Sequence, residues 1–194
     1  MEVPMVPVTS LIIPVIVSSV LVFLASFVIH MVLTYHRSDM RKLPDQQEDQ
    51  LLEAVRRLNL APGDYGVPHP GSPEAMKDPA FVAKMKKGPI VLINVSPGSA
   101  PTLGKSLAQW FVYTLVVGVF AAYVTGRAFG PGTDYLTVFR FIGTTAFMGY
   151  ALAHLHESIW YKRSWVRTAK SMFDGLVYAL LTAGVFGWLW PGRP

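Results

Sequence analysis

From Leu11 to about Leu33 the chain carries no residue with a formal charge at neutral pH. A helix of that length, roughly 23 residues rising 1.5 Å each, crosses a hydrocarbon core of about 30 Å. Three later stretches are also long and mostly apolar: 106–129, which follows Lys105 and holds Arg127 near its end, 135–160, with Arg140 and Glu157 near its two ends, and 172–190, with Asp174 near its start. An all-α membrane protein with four transmembrane helices is therefore predicted. Hydrophobic residues make up 52% of the sequence and charged ones 15%, more apolar surface than a soluble domain of this length buries, so lipid is the expected solvent.

The tail 1–10 has no Lys or Arg, only Glu2 and two prolines, unlike the basic start of a cleaved secretory signal. The first span, 11–34, is accordingly read as retained, with Pro14 in its opening turn where a missing amide hydrogen does least harm. Between the first and second spans, 35–105 forms a charge-rich loop module of short helices and one candidate strand. Asp45 and Glu48 have capping-box spacing, and Leu51, Leu52, Val55, Leu58 and Leu60 recur at helical intervals, predicting an amphipathic helix over 45–59. The Pro- and Gly-dense stretch after it excludes long regular elements. Asp78 before Pro79 predicts an N-cap and first turn of a helix reaching Lys86 or Lys87, and Ile90–Val95 reads as a strand. So few apolar anchors make a marginal core, so this module is expected to lean on the membrane helices or on another subunit.

Small residues recur every fourth position in three spans: Thr114, Gly118, Ala122 and Gly126; Thr145, Gly149 and Ala153; Gly175, Ala179, Ala183 and Gly187. Such stripes let helix backbones approach closely. Spans two to four are expected to form the compact unit, with the first beside them. The connection GPGTD is short enough to make spans two and three antiparallel neighbours. Lys and Arg crowd the first connection and the third, 161–171, which carries Lys162, Arg163, Arg167 and Lys170, whereas the second has Arg127 alone and the tail 191–194 has Arg193. The positive-inside rule then places both basic loops in the cytoplasm and both termini outside, with a bacterial cytoplasmic membrane as the expected location. Trp160, Tyr161, Trp165, Trp188 and Trp190 sit where aromatic belts meet headgroups, and Arg140 is near enough to the outer end to reach Asp134.

The chain has no cysteine, which removes disulfides, thiolate nucleophiles and Cys-ligated clusters. The net charge of +5 gathers beside the apolar spans rather than in a nucleic-acid-binding motif. There is no paired-carboxylate motif, nucleophile elbow, zinc-protease signature or phosphate-binding loop, and no internal repeat of the transporter kind. His69 and Tyr65 fall in the Pro-rich loop, where packing explains them, and Asp174 reads as an N-terminal cap of the fourth helix. The group that stands out is His30 with His154, His156 and Glu157, all near the cytoplasmic end. Its ordinary explanation is interfacial polarity that fixes helix register. The alternatives are axial ligation of a b-type haem by His30 with His154 or His156, and a His/Glu metal or proton-relay site. The preferred expectation is a non-catalytic accessory or assembly subunit of a membrane complex, with lipids and other subunits as partners and no metal or cofactor. A small haem-binding redox protein and an enzyme acting on lipid-borne substrates at the cytoplasmic interface are the alternatives.

Overall fold

A computed structural model describes residues 5–98 and 102–192. Glu2, the Ser99 end of the turn after the candidate strand, and Arg193 lie outside them. The chain divides into two compact units, Met1–Met40 with Thr102–Pro194, and Arg41–Pro101.

The first unit contains four helices long and apolar enough to cross a membrane: Val8–Val32, Gly104–Ala128, Tyr135–Tyr161 and Trp165–Trp188. The first opens with a 3-10 turn at Val8–Leu11 and closes with a π-helical turn at Val28–Val32. A second π turn, Met148–Leu152, interrupts the third helix. Small and polar side chains are buried, among them Ser18, Ser19, Thr114, Thr125, Ser158, Thr168 and Thr182, while Ile13, Leu24, Phe27, Phe120, Leu136 and Phe173 face outward. That distribution inverts the soluble pattern and fits a bundle surrounded by lipid. Several buried hydroxyls are satisfied within their own helix, Ser18 donating to the Val15 carbonyl, Thr114 to Phe111 and Thr182 to Tyr178.

The first helix is not peripheral. The stripe on the second helix faces it: a Cβ added at Gly118 would lie 3.3 Å from the Val15 side chain, and one at Gly126 would collide with the Val6 carbonyl oxygen. Val6 in turn donates its amide to the Gly126 carbonyl at 3.0 Å, and Val6 and Leu11 are buried with Val138, Ile142, Phe186 and Trp190. On the fourth helix, Gly175, Ala179, Ala183 and Gly187 are all buried, with Gly175 against Ala151 and Tyr150 and Gly187 against the Tyr135 ring. The seam on the third helix runs through Val138, Ile142, Ala146 and Tyr150 rather than through Thr145, Gly149 and Ala153. Gly149 does meet Val117 of the second helix, but Ala153 is exposed. The π turn accounts for this: its extra residue rotates everything after it, so that Ser158 becomes the buried position.

Two ends of the bundle are closed by local bonds. At one, the Trp190 indole donates to the Gly130 carbonyl at 3.0 Å and the Gly132 amide to Pro191 at 2.8 Å, so Trp190 is an inward-facing anchor and only Trp188 is exposed. Asp134 caps the third helix by accepting the Thr137 amide at 3.0 Å, and it makes no ion pair with Arg140. At the other end only Lys162–Ser164 separate the third and fourth helices, Lys162 taking a left-handed conformation, φ 55°. The fourth helix thus starts at Trp165, inside the stretch that composition assigns to a loop, because its first two turns are polar and aromatic rather than apolar.

The hydrogen bonds from Thr137 hold the Asp134 carboxyl below its ordinary value. A carboxylate favoured in this way stabilises the fold above its unfolded pKa, and the contribution disappears as pH falls through the lowered folded value. Asn keeps the cap without titrating. Unfolding temperatures measured across an acid pH series should therefore fall less steeply for Asp134→Asn than for the unmodified chain.

The second unit pairs strands β1 (Gly63–Val67) and β2 (Val91–Val95) antiparallel, Gly63 opposite Val95 and Val67 opposite Val91. Its helix Asp45–Arg57 follows Pro44, whose carbonyl accepts the Gln47 and Glu48 amides. The capping box does not form: Asp45 instead pairs with Lys42 at 2.6 Å. The helix Pro79–Lys87 is capped as its sequence predicts, the Asp78 carboxylate accepting the Ala80 amide at 2.8 Å. No described residue of this unit is buried.

Candidate functional site

Asp174 is the one carboxylate buried among the described residues, at 3% exposure. Starting the helix at Trp165 places it in the third turn, so it is not the cap expected of it; all its neighbouring backbone amides are already spent within the helix. Lys170, one turn earlier, lies on the same helix face. Opposite them the first helix ends in its π turn and the chain folds into a 3-10 turn at Tyr35–Ser38. Tyr35 seats its ring against the buried cluster of Val22, Val117, Tyr150 and Tyr178, which fixes the turn against the bundle.

Seven side chains meet here, those of His30, Tyr35, His36, Ser38, Asp39, Lys170 and Asp174. The Tyr35 hydroxyl donates to one Asp174 oxygen. The other Asp174 oxygen is 2.8 Å from His36 Nε2, and His36 Nδ1 is 2.6 Å from Asp39. Both ring nitrogens of His36 thus face carboxylates, which only accept, so the arrangement is satisfied by an imidazolium donating on both sides. Lys170 Nζ closes the circuit, donating to the Tyr35 carbonyl at 2.5 Å, Ser38 Oγ at 2.9 Å and Asp39 at 2.7 Å. With His36 protonated, two cations face two carboxylates, the pairing that makes burial of such a group tolerable. His30 stacks on His36 with ring centroids 4.6 Å apart, and its Nδ1 is 3.0 Å from the Ser26 carbonyl. Ser26 also accepts the Trp110 indole hydrogen at 2.9 Å, tying the second helix to the same corner.

The electrostatics follow from these contacts. Burial works to raise the Asp39 pKa, and the hydrogen bonds and charges of Lys170 and His36 outweigh it, holding the carboxyl below its usual value. Burial, followed by the hydrogen bond to Asp174 and the charges of Asp174 and Asp39, pushes the Tyr35 phenol far above its ordinary range, so it remains a donor.

Of the site candidates His30, His154, His156 and Glu157, only His30 belongs to this cluster. Among the described residues neither His154 nor His156 makes a ring contact or hydrogen bond with His30; the ring against His30 is His36. His156 lies near the Tyr161 ring, at 5.8 Å, and Glu157 faces Arg163 across 3.8 Å at the exposed hairpin. Sequence reasoning missed Tyr35, His36 and Asp39 and took Asp174 for a helix cap. One signal was present, a carboxylate four residues after Lys170 in a span otherwise lacking acids; its partners, 138 and 139 positions away in sequence, carried none.

The surface hollows lined by Asp49, Glu53 and Arg57, and by Val6, Tyr123 and Arg127, are open rather than enclosed. Comparison with protein-family models, curated proteins and solved structures finds no match, so any functional reading rests on this chain's own residues.

Proposed function

We propose that this chain is a non-catalytic integral membrane protein acting as an accessory or assembly subunit of a membrane complex, with Arg41–Pro101 as the part a partner subunit holds. The observation that carries the reading is that no described residue of that unit is buried. Its helix Asp45–Arg57 sets Leu51 and Leu52, 52% and 44% exposed, beside Val55 on one apolar face, with charged residues elsewhere. An apolar face of this kind is stable only when something covers it. The cluster around Asp174 supports the same reading, because it pins Tyr35–Asp39, the segment from which the loop unit continues, to the fourth helix. In this reading the two basic connections are cytoplasmic and both termini lie outside.

Purification of the full chain from its native membranes in mild detergent should retain a stoichiometric partner. Leu51→Asp with Leu52→Asp should release that partner while leaving the unfolding of the four-helix unit unchanged. A monodisperse, partner-free monomer, or a partner retained by the double variant, contradicts the proposal.

A further inference from the structure

The structure assigns a divalent transition-metal site to His30, His36 and Asp174. One ligand atom from each lies within 4.8 Å of the other two. What distinguishes the group from a chance meeting is how the remaining atoms are held. The Ser26 carbonyl can only accept, so its 3.0 Å contact puts the hydrogen of His30 on Nδ1 and leaves Nε2 with a free lone pair. Asp39 engages Nδ1 of His36 at 2.6 Å and leaves Nε2 pointing at Asp174. A carbonyl behind one imidazole and a carboxylate behind the other are the supports that metal-binding histidines use to fix tautomer and basicity. Lys170 and Tyr35 hold Asp39 and Asp174 in place in turn.

Binding replaces a proton. The ion enters between His36 Nε2 and Asp174, 2.8 Å apart, and the Nε2 hydrogen leaves to solvent. His30, whose side chain is exposed, turns out of its stack on His36 to direct Nε2 at the ion. Two imidazoles and one carboxylate suit Zn²⁺ or a chemically similar ion, with bonds of about 2.0–2.2 Å and a fourth position left open. Mg²⁺ and Ca²⁺, which favour oxygen donors, are not expected to compete.

The full chain, purified in detergent and stripped with a chelator, is titrated with Co²⁺ alone and followed by visible absorption. The expected result is saturation at one equivalent with the intense d–d bands of a tetrahedral site, abolished by Zn²⁺ and untouched by excess Mg²⁺. His30→Ala should remove the bands while leaving the unfolding temperature close to that of the unmodified chain, because His30 stands outside the bonds to Asp174. Asp39→Asn should weaken Co²⁺ binding about 10–100-fold, whereas His154→Ala and His156→Ala should bind as the unmodified chain does. No saturable Co²⁺ uptake by the unmodified chain, or bands unchanged by His30→Ala, overturns the assignment.

Discussion

Asp174→Ala is expected to destabilise the four-helix unit by about 3–5 kcal/mol, the range for removing one member of a buried ionic network. The magnitude comes from what is left behind rather than from the bond lost. Without the carboxylate, the Tyr35 hydroxyl and the His36 ring face a buried position that offers neither an acceptor. Tyr35→Phe removes a single donor to a charged acceptor and should cost less, about 1.5–3 kcal/mol. Asp174→Asn keeps the shape but carries two donors where the site supplies donors, and should fall nearer the alanine variant. Equilibrium unfolding in mixed detergent micelles measures all three. A cost for Asp174→Ala below that of Tyr35→Phe would mean the carboxylate is not the hub.

The second large effect is expected at Gly175. A Cβ there would lie 2.9 Å from the Ala151 Cβ and 3.1 Å from the carbonyl carbon and oxygen of Tyr150. Part of the obstruction is backbone, which cannot rotate away, so the third and fourth helices must separate along a seam that also holds Ala146 and Ala179. Gly175→Ala should cost about 1–3 kcal/mol and Gly175→Leu more, the usual penalty for overpacking a close helix contact. Ala151→Gly removes one of the two obstructions. The double variant Gly175→Ala with Ala151→Gly should therefore be more stable than the sum of the two single changes predicts, an interaction that thermal unfolding of the four proteins resolves.

Local features were legible in the sequence and long-range ones were not. Long, mostly apolar runs identify the four long helices, and Asp78 before Pro79 announces its helix because a cap and the turn it closes are neighbours in the chain. The start of the fourth helix was obscured because apolarity marks where a helix meets lipid, not where its backbone begins; Trp165–Met172 are helical but not apolar. That shift turns Asp174 from an apparent cap into a buried partner. The two π turns have no composition signal, yet one sets where His30 points and the other rotates the end of the third helix, carrying Ala153 to the surface. Spacing on a single helix placed His154 and Glu157 together, whereas the cluster that formed joins His36 to a carboxylate 138 residues later.

Everything inferred about the loop segment and the metal site depends on the first and fourth helices being joined through His36 and Asp174. A double-mutant cycle on His36→Ala and Asp174→Ala tests that junction most directly. Strong non-additivity is expected, the double variant costing about 1–3 kcal/mol less than the sum of the two single ones. Additive costs would show that the two residues do not act on each other and that the junction does not exist.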